Sequence, residues 1–178
     1  MTTAHVFIAT SLDGYIARLD GDIGWLLQRD AADEDHGYDD FIADKDMIVM
    51  GRGSYEKVCT FEPWPYDRPV LVLSRQLAGT PVPAALEGKV RFADLAPREA
   101  LRLLGEQGVR RVYLDGGQLI QSFLREGLVE DMVITTVPVL IGAGRPLFGP
   151  MERDLDLALQ ASRSFPSGLV QSTYRVLR

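Results

Sequence analysis

The sequence predicts a three-layer α/β/α domain with a mostly parallel central sheet and an antiparallel C-terminal hairpin, and three observations carry that expectation. Short apolar runs alternate with helical patterns as far as residue 139, which is how parallel strands joined by crossover helices read. Two of these runs, at 47–50 and 112–114, stop at glycines that open a helix. The last stretch differs: Leu155, Leu157 and Leu159 alternate with polar or small residues before the Phe165-Pro-Ser-Gly168 turn and a final apolar-rich run over 169–177, an antiparallel hairpin pattern.

Taken in order, residues 5–10 make the first strand, and Asp13-Gly14 turns the chain behind it. A polar loop over 18–24 follows. Between residues 33 and 44 acidic side chains mix with Tyr38, Phe41 and Ile42, whose spacing gives one apolar helical face. Residues 47–50 are a strand and 54–59 a short helix. Pro63, Pro65 and Pro69 exclude regular structure until a third strand at 70–74. A proline-punctuated loop leads to a short strand at 89–92, and Pro97 opens a helix that ends at Gly105 or Gly108. Residues 112–114 are a strand and 118–125 a helix capped by Gly127. The β-prone run 132–139 leads into the loop Ile141-Gly-Ala-Gly-Arg-Pro-Leu-Phe-Gly149. No repeat or linker interrupts this pattern, so residues 1–178 read as a single domain.

Composition narrows the function. A net charge of -6 argues against a general nucleic-acid binder, because phosphate backbones are met by basic surfaces. One cysteine, Cys59, excludes an intramolecular disulfide, and two histidines are too few for most histidine-based metal sites, so no metal is expected. The N-terminal residues lack a basic region followed by a long apolar segment, and no run approaches the roughly 18 apolar residues of a membrane span. A reducing, cytoplasmic setting without a membrane partner is the expectation.

Chemistry gathers at three predicted strand ends: Gly51-Arg52-Gly53-Ser54, Ser74-Arg75 and Gly116-Gly117-Gln118. Ligands of open parallel sheets collect at such ends, where glycines let the backbone approach a pyrophosphate and first-turn N–H groups donate to it. Arg52 and Arg75 are placed to fork onto a ribose 2′-phosphate, which favours NADPH over NADH. Singly, each element reads as a tight turn or a solvated charge; together they read as a nucleotide site. Ala9 is small enough for a flat ring to lie on the backbone, and Asp13, Trp25, Asp33, Asp35 and Tyr38 are candidate substrate contacts. The same acidic stretch also reads as a solvated helix face. Asp115 reads as a turn or cap residue, His5 and His36 as surface residues, and Cys59 as packed. Gly142-Ala-Gly144 with Arg145 reads equally as a fourth phosphate contact or as a hairpin-type loop.

The segments Ser11-Leu-Asp-Gly-Tyr-Ile-Ala17, Met50-Gly-Arg-Gly-Ser-Tyr-Glu56, Val72-Leu-Ser-Arg75 and Asp115-Gly-Gly-Gln-Leu-Ile120 with Phe123 together resemble the dihydrofolate reductase-like superfamily. They are more closely similar to the reductase domain of the bifunctional riboflavin-biosynthesis deaminase/reductase and its stand-alone relatives. The resemblance covers nearly the whole chain. It implies an NADPH-dependent reductase in which Ala9 and Ile16 line the nicotinamide and Gly51, Arg52, Gly53 and Ser54 hold the pyrophosphate. Leu73, Ser74 and Arg75 would bind the adenosine side, with Arg52 near its 2′-phosphate, while Gly116, Gly117, Gln118, Leu119 and Ile120 close over the middle of the cofactor. It further implies a cis Gly116–Gly117 peptide, a homodimer, and an active-site carboxylate on the helix ahead of the Met-Gly-Arg motif. Counting back from Gly51 without gaps puts Asp35 there, with Asp33 or Asp39 as alternatives because the loop after Trp25 is longer than in the folate enzymes.

That longer loop turns the expected substrate from folate towards the ribosylaminopyrimidine phosphate of the riboflavin pathway. The partner deaminase needs an H-x-E and P-C-x-x-C zinc signature, which a chain with one cysteine cannot carry. The expected function is hydride transfer from NADPH to a pyrimidine- or pterin-like small molecule, with Asp35 as catalytic carboxylate and Asp13, Trp25 and Tyr38 at the substrate. A non-catalytic NADP(H)-binding module or redox sensor, and a dihydrofolate or carbonyl reductase of the same fold, are the alternatives.

Overall fold

Strand β1 (Thr3–Ser11) lies inside an eight-stranded sheet in the computed structural model, which describes residues 1–29 and 33–177. The chain continues through β2 (Tyr15–Ala17), α1 (Gly24–Leu27), α2 (Tyr38–Ala43), β3 (Met47–Gly51), α3 (Arg52–Val58), β4 (Val70–Leu73), β5 (Val90–Ala93), α4 (Pro97–Glu106), β6 (Arg111–Asp115) and α5 (Gly117–Arg125). It closes with β7 (Val129–Val137), β8 (Arg145–Pro146), β9 (Leu157–Ser164) and β10 (Val170–Val176). The sheet order is β5-β4-β3-β6-β1-β7-β10-β9. The six strands from β5 to β7 are parallel, and β10 and β9 add antiparallel to them as the expected hairpin. A separate two-stranded pair, β2 with β8, stands beside the main sheet.

Alternation along β3 explains why its sequence is apolar throughout. Met47 and Val49 face α4 and α5 with Leu104, Ile120 and Phe123, whereas Ile48 and Met50 face the other side with Tyr55 of α3 and Phe41 of α2. Both faces are covered, so both must be apolar. Phe123 has no exposed surface, and burying a side chain of that kind contributes about 1.5–3 kcal/mol. The end of α5 is set by Gly127 at φ +65°, with Gly127 N–H donating to Leu124 O and Leu128 N–H to Phe123 O, the paired bonds of a Schellman cap.

The acidic stretch departs from the expected helix over 33–44. Regular helix begins only at Tyr38, because Asp35 Oδ1 accepts the Gly37 N–H at 2.7 Å and Gly37 adopts φ +79°. That local turn competes with the helix for the same backbone groups. Among the described residues no helix is long and apolar enough to cross a membrane.

The crossovers fix where a ligand can sit. From β3 the chain passes through α3 to β4 on one side, while from β6 it passes through α5 to β7 on the other. Helices that leave adjacent parallel strands in opposite directions open a crevice at the strands' carboxyl ends.

Candidate active site

Met50 and Asp115 are paired across β3 and β6, so the glycines that follow them meet. A Cβ at Gly116 would fall 2.7 Å from Ser54 Oγ and 3.8 Å from Gly51 N, and Gly116 itself has φ +106°. A Cβ at Gly117 would fall 2.8 Å from Pro146 O and 3.0 Å from Ile16 Cδ1. Only glycine permits these approaches. The Gly116–Gly117 peptide, expected to be cis, is trans; the one cis bond among the described residues is Glu62–Pro63. The unusual φ of Gly116 makes the turn between β6 and α5 instead.

The two helices opening here share an electrostatic peculiarity. Neither α3 nor α5 has a side-chain cap or an acidic residue in its first turn, whereas α2 carries Asp39 and Asp40 and α4 carries Glu99. The first-turn N–H groups and the positive dipole ends therefore face the crevice with no cap or first-turn acid of their own helix to meet them. This donor set, with the glycine cradle, fits the pyrophosphate of a dinucleotide.

The other expected cofactor residues divide. Gly51, Gly53 and Ser54 form the turn into α3, and Ala9 and Ile16 are partly exposed at β1 and β2. Leu73 and Ser74 end β4 beside Ala93, with Ser74 Oγ accepting the Leu77 N–H, and Arg75 is exposed. Arg52 is exposed and paired with Glu56 at 2.7 Å, a surface pair of the kind that contributes little and rearranges readily. Gln118 is exposed, but Leu119 and Ile120 pack into the core, and the Ile120 N–H is already bonded to Gly116 O.

Asp115, which the sequence offered as a turn or cap residue, is an acid whose ionisation burial perturbs. The Asp115 carboxyl accepts hydrogen bonds from Ser54 and from the Gly116 N–H, yet burial outweighs both and pushes its pKa up to about 6. Part of its residue surface is open, but neighbouring atoms crowd it densely enough that desolvation dominates. Tyr38 and Tyr113 stand edge to face at 6.2 Å, and Tyr66 lies close enough to feel the same carboxylate. Burial first, and then the Asp115 charge, pushes Tyr38 up to about 12 and raises Tyr66 and Tyr113 as well. An aspartate two residues after a tyrosine in an apolar strand, and so on the same face, was the available signal, hidden because Asp before Gly also reads as a turn.

The expected substrate residues are placed as follows. Tyr38 packs against Phe7 at 5.6 Å, on the same sheet face as Asp115. Trp25 is buried with Val137 and Leu169, against Ala9, and its indole N–H has no acceptor among the described residues. Asp13 is exposed and ties two loops together by accepting the Ile141 and Gly142 N–H groups, and a hydrogen bond from Ser11 chiefly holds its pKa below the ordinary value. Asp35 is exposed, its carboxylate held by the Gly37 N–H. Asp33 and Asp39 are exposed as well.

A polar row also emerges that no local pattern announced. Ala9, Thr135, Gln171 and Arg163 are successive partners across β1, β7, β10 and β9. The buried Gln171 amide donates to Thr135 Oγ1 and His36 O, both at 2.9 Å, and accepts from Arg163 at 3.2 Å. Arg163 also donates to Asp35 O at 3.3 Å, and the Glu34 carboxylate accepts from both the N–H and the hydroxyl of Ser167. The hairpin thus holds the segment 34–37 against the end of the sheet.

Two surface expectations are reversed. His5 is buried, with Nδ1 2.8 Å from Asp131 and Nε2 2.9 Å from Thr3 Oγ1, because its strand is covered on both faces. Cys59 is exposed where α3 ends. Among the described residues no group of acidic, histidine and cysteine side chains could hold a metal ion.

The family model of the RibD C-terminal domain matches residues 3–171. The chain belongs to the RibD C-terminal domain family. It is 33% identical over 162 residues to the uncharacterised Bacillus subtilis protein YwjB, covering 90% of each. Among solved structures, a protein of Shewanella sp. PV-4 provisionally named for riboflavin biosynthesis shares 39% identity with a TM-score of 0.93, covering 99% of this chain and 100% of that one. The bifunctional deaminase/reductase of Thermotoga maritima is similar at a TM-score of 0.75 and 16% identity, over 99% of this chain and 57% of that one, a likeness of fold. The family and the fold together support an oxidoreductase of the RibD reductase kind, built on the dihydrofolate reductase-like sheet.

Proposed function

We propose that this RibD-type domain is an NADPH-dependent reductase that transfers hydride to a pyrimidine- or pterin-like small molecule, in the manner of a 5-amino-6-(5-phosphoribosylamino)uracil reductase. One observation carries the reading: two glycine turns meet at the carboxyl ends of β3 and β6, and the Asp115 carboxyl, bonded to Ser54 and Gly116, stands beside uncapped first turns. When bound, NADPH supplies hydride. The chain supplies position and a proton. First-turn N–H groups at Gly53, Ser54, Gly117 and Gln118 meet phosphate oxygens, Ala9 and Ile16 border the nicotinamide, and Ser74 and Arg75 take the adenosine side. Arg52 exchanges Glu56 for the 2′-phosphate. With a pKa near 6, Asp115 retains a proton on its carboxyl in part of the population near neutral pH and can pass it to the heteroatom of a C=N or C=O bond. It takes the acid role that the sequence pattern offered to Asp35. A cytoplasmic homodimer completes the reading, following the family resemblance.

Titrations with NADPH and NADH, followed by a screen for NADPH oxidation with pyrimidine, pterin and simple carbonyl compounds, test it. Tighter binding of NADPH, a ratio narrowed by Arg52→Ala, and substrate-dependent oxidation are expected. Failure to bind NADPH would remove the reading.

A further inference from the structure

The loop that ends at Arg145 is left unassigned by the cofactor reading, and its construction is specific. Gly144 sits where a Cβ would fall 2.3 Å from Ala17 O, so only glycine lets β8 lie against β2 and present the next residue. Arg145 then reaches back across the β1–β2 side of the crevice. Its Nε and Nη2 donate to Leu19 O at 3.3 and 3.2 Å. The guanidinium lies against two glycines: a Cβ at Gly21 would stand 3.5 Å from Nη2, and a Cβ at Gly53 would stand 3.3 Å from Nη1.

No carboxylate pairs with this exposed guanidinium among the described residues, which is true of Arg75, Arg125 and Arg153 as well; what sets Arg145 apart is that its side chain is anchored on Leu19 O and laid against Gly53. Nη1 has no acceptor there either. A permanently charged group is thus set, by one arm of its fork, beside the glycine turn of the candidate phosphate site, with its other arm unused.

We infer that Arg145 is a cofactor-binding residue whose Nη1 donates to the pyrophosphate of the bound dinucleotide. The inference rests on the reductase reading above and adds a contact that it does not require. Arg145 serves the part common to NADPH and NADH, whereas Arg52 serves the 2′-phosphate that only NADPH carries. By holding Leu19 O with the same guanidinium, it also couples the loop between β2 and α1 to occupancy of the phosphate site.

The test is a set of binding titrations, read as Kd for NADPH and for NADH, on the wild type, Arg145→Gln and Arg145→Lys, with thermal melting of each protein without nucleotide. Arg145→Gln is expected to weaken both nucleotides by the same factor, about tenfold to a hundredfold, and to flatten the salt dependence of binding. Arg145→Lys is expected to fall between, because an ammonium keeps the charge but cannot fork onto Leu19 O and a phosphate together. If the glutamine variant melts too early to titrate, the lysine variant decides by the same equal loss on both nucleotides. Wild-type affinity in a folded variant, or a loss confined to NADPH, would overturn the assignment. A wild type that binds neither nucleotide would instead overturn the reductase reading itself, so the two failures are distinguishable.

Discussion

Replacing Asp115 with asparagine separates burial of the carboxyl from its hydrogen bonds, because asparagine keeps the size and an acceptor oxygen for Ser54 and the Gly116 N–H. The folded carboxyl titrates near 6, against 3.8 for the ordinary group. Between these values the folded chain keeps a proton that the unfolded chain has released, so stability falls as pH rises and levels off once the folded carboxyl ionises near 6. The gap of about 2 in pKa, at about 1.4 kcal/mol for each, makes about 3 kcal/mol in all. The asparagine variant lacks this loss. Its unfolding free energy minus that of the wild type should therefore grow by about 3 kcal/mol from about pH 4 to about pH 7 and then stay level, read by urea unfolding at each pH. Asp13, Glu34, Asp44 and Asp46, whose pKa values are lowered, act in the opposite direction in both proteins and cancel in the difference. A difference that is flat across the range, or that shrinks as pH rises, refutes the buried-acid assignment.

Two further outcomes follow from the same geometry. Gly116→Ala must place a Cβ 2.7 Å from Ser54 Oγ at φ +106°, a strain of about 2–3 kcal/mol, so the urea midpoint should drop and nucleotide affinity should fall with it; an unchanged midpoint would show the turn to be permissive. Gln171→Ala removes the amide that joins Thr135, His36 O and Arg163, and hydrogen exchange at residues 34–38 should quicken about tenfold while β3 and β6 keep their protection. Equal exchange in both proteins would mean that the hairpin does not hold this segment.

The strands were legible in the sequence because their cause is local. The runs at Met47 and Val112 are apolar at every position, as strands covered on both faces must be, and the glycines after them break the period where the chain has to turn. The hairpin was legible from its alternation and its Phe165-Pro-Ser-Gly168 turn. Helix α2 was read too long because the turn at Asp35 and Gly37 is also local, but its acidic neighbours suit a helix N-terminus equally well.

Ionisation, burial and charge pairing were not legible, since each depends on atoms distant in sequence. Asp115 is an ordinary Asp-Gly signal until Ser54 and the tyrosines of other segments close around it. His5 looks like a surface residue until Asp131 arrives 126 positions later. Arg145 looks like one loop cation among others until β8 lays it over Gly21 and Gly53. By itself the sequence determined the strands of the main sheet, the helices that cross between them and the glycine breaks after β3 and β6, but not the β2–β8 pair, because periodicity and turn chemistry act over a few residues. The tertiary structure alone decided which acid is buried and which arginine is anchored beside the glycine turn, because desolvation and Coulomb energy are set by the neighbours that folding brings together.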